Sequence, residues 1–125
     1  MHISKVKISA EASGKLKIAA QRSGLTPNLL CRLAMMSSFE AGPLSHLQMD
    51  LKDGQEFNAY TLFGANQAIY LDLLKYVEIG KGKADLTDED LLERLKLHID
   101  RGIKQITVRI KSPADVAGLL SGNRE

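Results

Sequence analysis

The stretch Gly24-Leu25-Thr26-Pro27-Asn28-Leu29-Leu30-Cys31-Arg32 sets the order of the first predicted elements, because one helix must end and another begin within it. Gly24 stands where a left-handed C-terminal cap is expected. Thr26 offers an N-cap hydroxyl, and Pro27 suits the first position of a helix. The apolar residues that follow predict a second helix that ends before Gly42-Pro43.

The residues before this junction predict a short strand over residues 3–8. Val6 and Ile8 fall on one face of that strand, and Lys5 and Lys7 fall on the other. This alternation indicates a strand with one buried and one solvent-facing side.

The strand leads directly into the first helix. Ser9 is a suitable N-cap for a helix over residues 10–23. Strand, helix, glycine turn, helix is the order of a ribbon-helix-helix unit, here residues 1–41, in which two chains pair their strands. A lone strand leaves backbone hydrogen-bonding groups unpaired, so we expect a second copy of the chain to pair with it.

The middle of the chain, from residue 42 to residue 64, is rich in loop-forming residues. Asp53-Gly54 predicts a turn, and the segment Phe57–Phe63 is consistent with a short strand or with an ordered loop. A third helix is predicted over residues 65–79, and Gly80-Lys81-Gly82-Lys83 then reads as a flexible connector.

Thr87 is the predicted N-cap of a long helix over residues 87–111, with Gly102 as its weak point. Ile106, Val108 and Ile110 alternate as in a strand, but the longer apolar stripe steps by three and four residues and favours a helix. Ser112-Pro113 then begins a short C-terminal helix.

The predicted fold class is therefore mainly α, with a short N-terminal strand plus two helices, ribbon-helix-helix-like, followed by further helices. We expect residues 1–125 to be a single DNA-binding domain, in which residues 42–125 supply a loop-rich segment and the C-terminal helices. The hydrophobic fraction is 44%, but aromatics make up only 5% and tryptophan is absent, a composition that suits packed helices.

Composition also argues against several classes of protein. No apolar run approaches the roughly 20 residues that cross a membrane, and the first residues lack the apolar stretch of a signal peptide. The single cysteine excludes an intrachain disulfide. We therefore expect a cytoplasmic protein without a membrane span.

The net charge of +2 is unevenly distributed. Residues 1–32 carry a net charge of +5, residues 33–100 carry −6, and residues 101–125 carry +3. Such a chain can present a basic face to a polyanion, although solvated surface lysines would give the same count. The candidate DNA-binding residues are Lys5, Lys7, Lys15, Lys17, Arg22 and Arg32.

These basic residues favour contacts with backbone phosphates over base reading. Lys15 and Arg22 are seven residues apart and share a helix face. Lys5 and Lys7 occupy the strand in place of the Asn, Gln or Arg side chains that read bases bidentately. We therefore expect DNA binding with little sequence specificity.

Catalytic, metal and cofactor sites find little support. The three histidines are scattered, no zinc-ligand spacing exists, and no phosphate loop or nucleophile beside a base is visible. The acidic residues 88–90 fit the first turn of a helix better than a metal site. Cys31 reads as a small core residue, with a reactive thiol beside Arg32 as the alternative. We expect no enzyme activity and no cofactor.

A polar cluster surrounds the predicted turn and comprises Asp53, Gln55, Glu56, Asn58 and Tyr60. These side chains either contact a partner protein or cap the backbone of an ordered loop over the core.

Three stretches carry a resemblance that spans residues 3 to 120. The first is Gly24–Arg32, the second is Asp53-Gly54-Gln55-Glu56-Phe57-Asn58-Ala59-Tyr60-Thr61-Leu62-Phe63-Gly64, and the third is His98-Ile99-Asp100-Arg101-Gly102. Together they resemble the DndE family of DNA phosphorothioation (DNA sulfur modification) proteins.

This resemblance implies a non-enzymatic component that binds double-stranded DNA, with nicked duplex preferred, and that acts beside other DNA phosphorothioation proteins. It also implies a homo-oligomer, a tetramer, whereas strand pairing alone requires only a dimer. A ribbon-helix-helix transcriptional regulator and a protein-only assembly adaptor are the alternatives that the residues leave open.

Overall fold

The computed structural model describes residues 3–44, 53–79 and 86–120. Its elements follow the order β1 (Lys5–Ser9), α1 (Ala10–Ser23), α2 (Pro27–Glu40), β2 (Asp53–Asn58), α3 (Ala59–Phe63), a 3-10 turn (Gly64–Asn66), α4 (Gln67–Ile79), α5 (Asp88–Thr107) and α6 (Pro113–Leu120). The predicted mainly helical fold class is confirmed. The predicted connector over residues 80–83 lies outside the described residues.

The caps of the first two helices are those that the sequence predicted. The Ser9 hydroxyl accepts a hydrogen bond of 3.1 Å from the backbone N–H of Ala12, which begins α1. Gly24 ends α1 with a φ of 76°, in the left-handed region that glycine adopts without strain. Thr26 caps α2, and Pro27 is its first residue.

The partner of the first strand differs from the prediction. β1 pairs antiparallel with β2 of the same chain, with Val6 opposite Phe57 and Lys7 opposite Glu56. The expectation that a second copy must supply the partner strand is therefore wrong. The sequence missed β2 because only Phe57 among its six residues is of a type enriched in strands, and pairing with a distant segment decided its conformation.

Asp53-Gly54 was predicted as a turn and instead begins β2. The register shifts between Lys7 and Ser9, so the two strands approach irregularly at that point. A Cβ atom at Gly54 would lie 1.7 Å from the carbonyl oxygen of Ile8. The glycine is thus required by close approach of two backbones and not by a turn.

The segment after β2 is helical. Asn58 ends the strand and caps α3, because its Oδ1 accepts a 2.8 Å hydrogen bond from the backbone N–H of Tyr60. The predicted third helix begins two residues later than expected, at Gln67, and the 3-10 turn precedes it.

The long fifth helix ends at Thr107, four residues before the predicted end. A carboxylate oxygen of Asp115 accepts hydrogen bonds from the backbone N–H groups of Lys111 and Ser112, which turns the chain into α6. Ile110 is nevertheless fully buried, as its place on the apolar stripe predicted.

Helix α5 lies at the centre of the core. Its apolar stripe of Leu95, Ile99, Ile103 and Ile106 is buried, and it packs most extensively against α2. The two helices approach so closely at Gly102 that a Cβ atom there would lie 1.8 Å from the carbonyl oxygen of Ala34. Gly102 is therefore the contact point that sets the distance between α2 and α5.

We predict that Gly102→Ala destabilises the protein by about 3 kcal/mol or more, because the added methyl group must push two packed helices apart. Gly14 lies on the exposed face of α1 with nothing within 4 Å of the corresponding position. Gly14→Ala is therefore the matched control and should stabilise by about 0.5–1 kcal/mol, as expected for alanine in a helix.

Urea denaturation followed by circular dichroism measures both free energies of unfolding. A Gly102→Ala variant as stable as the unchanged protein would contradict the close packing of α2 on α5.

Candidate nucleic-acid interface

Two of the predicted DNA-binding lysines stand on the outer face of the two-stranded sheet. Lys5 and Lys7 are exposed, while Val6 between them is fully buried. Lys5 Nζ lies 3.7 Å from Glu56 Oε1, and both side chains remain solvated, so this ion pair is weak. The sheet therefore presents two lysine ammonium groups beside one carboxylate.

The basic residues of α1 are divided between two sides of the helix. Lys15 is half-buried, and Arg22, seven residues later, shares its side as predicted. Lys17 is exposed but is turned about 200° from Lys15 around the helix axis. None of these three side chains forms an ion pair with the rest of the described chain. They remain available to an anionic ligand.

Arg32 has a structural role that the sequence analysis did not foresee. Its Nε donates a 2.6 Å hydrogen bond to the carbonyl oxygen of Leu62, and Nη2 donates one of 3.1 Å to Thr61. The guanidinium thus caps the last carbonyl groups of α3. Gly64 follows with a φ of 59°, and a Cβ there would come within 3.2 Å of Nη2. Arg32, the last residue of the stretch Gly24–Arg32, therefore holds the stretch Asp53–Gly64 against α2.

In the polar cluster of the second stretch, one side chain, that of Asn58, bonds to the backbone. Asn58 caps α3, and the Thr61 hydroxyl donates to the Asn58 carbonyl oxygen. The backbone N–H of Gln55 donates a 2.7 Å hydrogen bond to the Ser13 hydroxyl, which attaches β2 to α1. Tyr60 is exposed. The capping interpretation therefore accounts for Asn58.

The third stretch places charged side chains inside the core. Asp100 is fully buried, and its carboxylate accepts hydrogen bonds from the Ser9 backbone N–H at 3.1 Å and from the Ser9 hydroxyl at 2.9 Å. Lys104 Nζ lies 3.7 Å from the same carboxylate. Because Ser9 joins β1 to α1, this contact fixes the corner from which the lysine-bearing elements extend.

His98 forms a buried chain of hydrogen bonds between α2, α4 and α5. Its Nδ1 lies 2.7 Å from the Ser38 hydroxyl, and its Nε2 lies 2.7 Å from Glu78 Oε2. Arg101 Nε also donates to the Ser38 hydroxyl at 2.7 Å. Since arginine cannot accept, the Ser38 hydroxyl accepts from Arg101, and since the Glu78 carboxylate can only accept, His98 Nε2 carries a proton and donates to it. Burial lowers the pKa of His98, so the imidazole is neutral at neutral pH and its Nδ1 accepts from the Ser38 hydroxyl.

The same chain holds the residues that follow α2. Glu78 Oε2 accepts a 2.9 Å hydrogen bond from the backbone N–H of Leu44, and Arg94 donates to both Glu78 and the Leu44 carbonyl oxygen. Arg101 also donates to the carbonyl oxygens of Ser38 and Gly42. Every buried charge in this cluster therefore has an opposite charge or a hydrogen-bond partner.

Ser38, His98 and Glu78 have the order of a nucleophile, a base and an orienting carboxylate, so the expectation that no nucleophile lies beside a base is wrong. All three side chains are sealed in the core, with Ser38 and His98 at 0% exposure. Arg101 also occupies a lone pair of the hydroxyl. The Ser38 hydroxyl is therefore shielded from solvent, and its hydrogen bonds join α2 to α5.

Burial lowers the pKa of His98, and the neighbouring guanidinium groups of Arg101 and Arg94 lower it further, against the opposing effect of Glu78. Burial alone would raise the pKa of Glu78. The hydrogen bonds from Leu44, His98 and Arg94 outweigh burial and lower the pKa of this carboxyl below its usual range.

Cys31 lies in the core, as predicted, on the inner face of α2. Burial raises the pKa of its thiol to about 12, so the reactive thiolate is not populated at neutral pH. The acidic residues 88–90 occupy the exposed first turn of α5, as predicted. Across the described ranges, no cluster of His, Cys, Asp and Glu side chains is arranged to hold a metal ion. In the same ranges, no helix is both long and apolar enough to span a membrane.

The fold and the exposed lysines together define a small, mainly helical protein with a basic N-terminal unit and a buried polar core. A family model described as DNA sulphur modification protein DndE matches residues 5–114. The chain belongs to the DndE family.

Solved structures agree with this assignment at the level of the fold. The chain is similar to DndE from Escherichia coli B7A, a protein involved in DNA phosphorothioation modification, with a TM-score of 0.69 and 24% identity over 82% of this chain and 97% of that one. A G21/24K mutant of DndE gives a TM-score of 0.65 and 20% identity, over 84% and 97% of the two chains. A comparison with curated protein sequences gives no match.

We predict that acid destabilises the protein in two steps. The unfolded chain protonates His98 near pH 6.5, while the folded chain does so only at lower pH, so stability is present above about pH 6.5 and falls below it. Glu78, whose pKa is also lowered by folding, adds a second loss as the pH falls below its ordinary value of 4.5.

His98→Gln should remove the first step, which contributes at most about 1.4 kcal/mol per pH unit, and should keep the second. Urea denaturation at pH values from 7.5 to 4 measures both slopes. The free energy of unfolding of the His98→Gln variant could instead decline between pH 6.5 and 5 as steeply as that of the unchanged protein. That result would show that another group titrates in this range.

Proposed function

We propose that this chain is the DNA-engaging component of a DNA phosphorothioation system. It binds double-stranded DNA, nicked duplex in preference to intact duplex, through backbone phosphates and with little sequence specificity. The observation that carries this proposal is the outward position of Lys5 and Lys7 on β1, continued by the basic side chains of α1. Membership of the DndE family supplies the biochemical setting.

The charge distribution supports phosphate contacts. Lysine ammonium groups on a sheet and a neighbouring helix neutralise phosphates without reading bases. On the outer face of the two-stranded sheet, the amide oxygen of Asn58 is engaged as a helix cap, so this side chain is not available for bidentate base reading. Little sequence specificity follows from this arrangement.

A ribbon-helix-helix regulator is a weaker candidate. Such regulators read bases with a two-stranded ribbon formed by two copies, whereas β1 here pairs with β2 of its own chain and carries lysines. If the chain bound only other proteins, as an assembly adaptor, the exposed lysines would have no ligand. In the proposed function, the chain acts in the cytoplasm with other DNA phosphorothioation proteins and self-associates as the family resemblance implies. It supplies no catalytic step and binds no cofactor.

We predict that affinity for duplex DNA depends steeply on salt. If about four to six phosphates are neutralised, log affinity falls against log salt with a slope of roughly −3.5 to −5.5. Fluorescence anisotropy with labelled intact, nicked and single-stranded DNA measures this slope and the preference for nicked duplex. Combined Lys5→Glu, Lys7→Glu, Lys15→Glu and Arg22→Glu should abolish binding while the helical circular dichroism remains.

Single variants provide a matched control. Lys7→Glu and Lys75→Glu change the charge equally at exposed lysines, but Lys75 lies on α4. Lys7→Glu should reduce the slope by about one unit and Lys75→Glu should not. Arg32→Gln should cost stability and leave the slope unchanged. A flat salt response of the unchanged protein, or equal effects of Lys7→Glu and Lys75→Glu, would contradict the proposed interface.

Substitution of Cys31 tests the proposal that this chain carries out no sulfur chemistry itself. Because its thiol is buried and protonated, Cys31→Ala should cost only about 1–2 kcal/mol of stability. It should leave DNA binding intact and leave phosphorothioate linkages in cellular DNA unchanged. Loss of these linkages from cells with a folded, DNA-binding Cys31→Ala variant would give Cys31 a chemical role.

A further inference from the structure

Tyr60 is the most exposed of the large apolar and aromatic side chains in residues 3–44, 53–79 and 86–120, with 79% of its surface accessible. It belongs to the second family stretch, whose other two aromatic side chains, Phe57 and Phe63, are buried in the core. Within the same ranges, the Tyr60 ring stacks on no other ring. Packing in the core therefore does not account for an aromatic side chain at this position.

Tyr60 lies at the edge of the lysine-bearing face of the sheet. Lys5 and Asn58 stand directly opposite each other in the register of β1 and β2, so their side chains share the outer face. Asn58 Oδ1 accepts a hydrogen bond of 2.8 Å from the backbone N–H of Tyr60. The backbone N–H of Ala59 donates to the carbonyl oxygen of Ser4 at 2.9 Å. These two hydrogen bonds place the start of α3 beside Lys5.

The backbone that carries the Tyr60 ring is held at both ends of α3. Asn58 caps the first turn of this helix. At the other end, Arg32 donates hydrogen bonds to the carbonyl oxygens of Thr61 and Leu62. A ring on a backbone that is already ordered loses little freedom on contact with a ligand, so more of the contact free energy appears as affinity.

We propose that Tyr60 binds an unstacked nucleobase by aromatic stacking, beside the phosphate contacts of Lys5 and Lys7. An exposed aromatic ring next to basic side chains is the arrangement with which proteins bind bases outside a continuous duplex. Every base has an aromatic face, so stacking adds affinity without selecting a sequence. The ligand of this site is DNA whose base stack is interrupted, as at a nick, a gap or a frayed end.

Stacking on Tyr60 discriminates between DNA forms that phosphate contacts treat alike. Intact and nicked duplexes present nearly the same charge to a set of lysines. In an intact duplex both faces of each internal base are covered, and moving a base out of the stack costs free energy. At an interruption a base leaves the stack at a lower cost. Tyr60 thus accounts for the preference for nicked duplex in the proposed function, on which this inference rests.

Tyr76 on α4 provides a matched control for Tyr60. It is 75% exposed, so its ring is about as accessible. Asp72 precedes it by four residues and is exposed on the same side of the helix. A carboxylate there repels phosphate groups, whereas Tyr60 lies beside a lysine. The control therefore separates an exposed ring in a basic setting from an exposed ring alone.

Fluorescence anisotropy with intact, nicked and gapped duplexes of one sequence measures the contribution of the ring. Tyr60→Ala should weaken binding to the nicked and gapped duplexes by about fivefold to a hundredfold, as expected for the loss of one stacked base. It should leave the affinity for intact duplex and the salt slope unchanged. Tyr60→Phe should keep the preference, because stacking requires the ring and not the hydroxyl. Tyr76→Ala should bind all three duplexes as the unchanged protein does.

The absence of tryptophan from the chain allows a direct optical test of stacking. Tyr60→Trp introduces a single indole, whose fluorescence should be quenched when it stacks on a base of the nicked or gapped duplex. Saturating intact duplex should leave this fluorescence unquenched. Tyr76→Trp should show no quenching with any of the three duplexes.

Equal quenching of Tyr60→Trp by intact and interrupted duplexes, or no quenching at all, would overturn the stacking site. Retention of the preference by Tyr60→Ala, or equal affinity of the unchanged protein for all three duplexes, would also overturn it. Binding to intact duplex keeps the two proposals separate. If that binding depends on salt and Tyr60→Ala changes nothing, only the stacking site is rejected. If it does not depend on salt, the proposed phosphate contacts are rejected.

Discussion

The rest of the structure depends on the burial of two carboxylates that lie on opposite sides of α5. Asp100 and Glu78 are both removed from solvent, which is tolerable only because each carboxylate is surrounded by donors. Those donors belong to segments far away in the chain. The two buried carboxylates therefore fix the corner between β1 and α1 and the backbone at Leu44 in relation to one central helix. Arg101 of the same helix holds the end of α2 through Ser38 and Gly42.

The buried polar core also holds the basic surface in a fixed conformation, so this surface need not become ordered when a ligand binds. The Asp100 carboxylate holds Ser9, and the lysines of β1 and the basic residues of α1 lie on either side of that serine. The proposed DNA interface is thus ordered in the free protein, so DNA binding would not have to offset the entropy of folding a loop. The buried polar chain behind it keeps α2 fixed, and Arg32 of α2 in turn holds α3.

Local signals in the sequence predicted the elements that local interactions determine. Ser9, Gly24, Thr26 and Pro27 mark helix ends through contacts within four residues, and the structure places each of them as predicted. The strand β2 and the role of Arg32 depend on partners far away in sequence, such as the pairing of Arg32 with Leu62, so no local pattern could reveal them. The polar residues His98, Asp100 and Arg101 beside the apolar stripe of α5 were the available signal for the buried network. The family stretches thus identify the chain mainly through residues that build its core, and the proposed DNA-binding surface consists of less distinctive lysines.

Amide chemical-shift mapping during titration with a nicked duplex tests the central claim most directly, since it locates the ligand on the folded protein without altering any residue. We predict that the largest shifts fall on β1 and on the exposed sides of α1, and that they fade as salt is raised. Shifts confined to α4 and the acidic first turn of α5, with β1 and α1 unperturbed at saturating DNA, would contradict it.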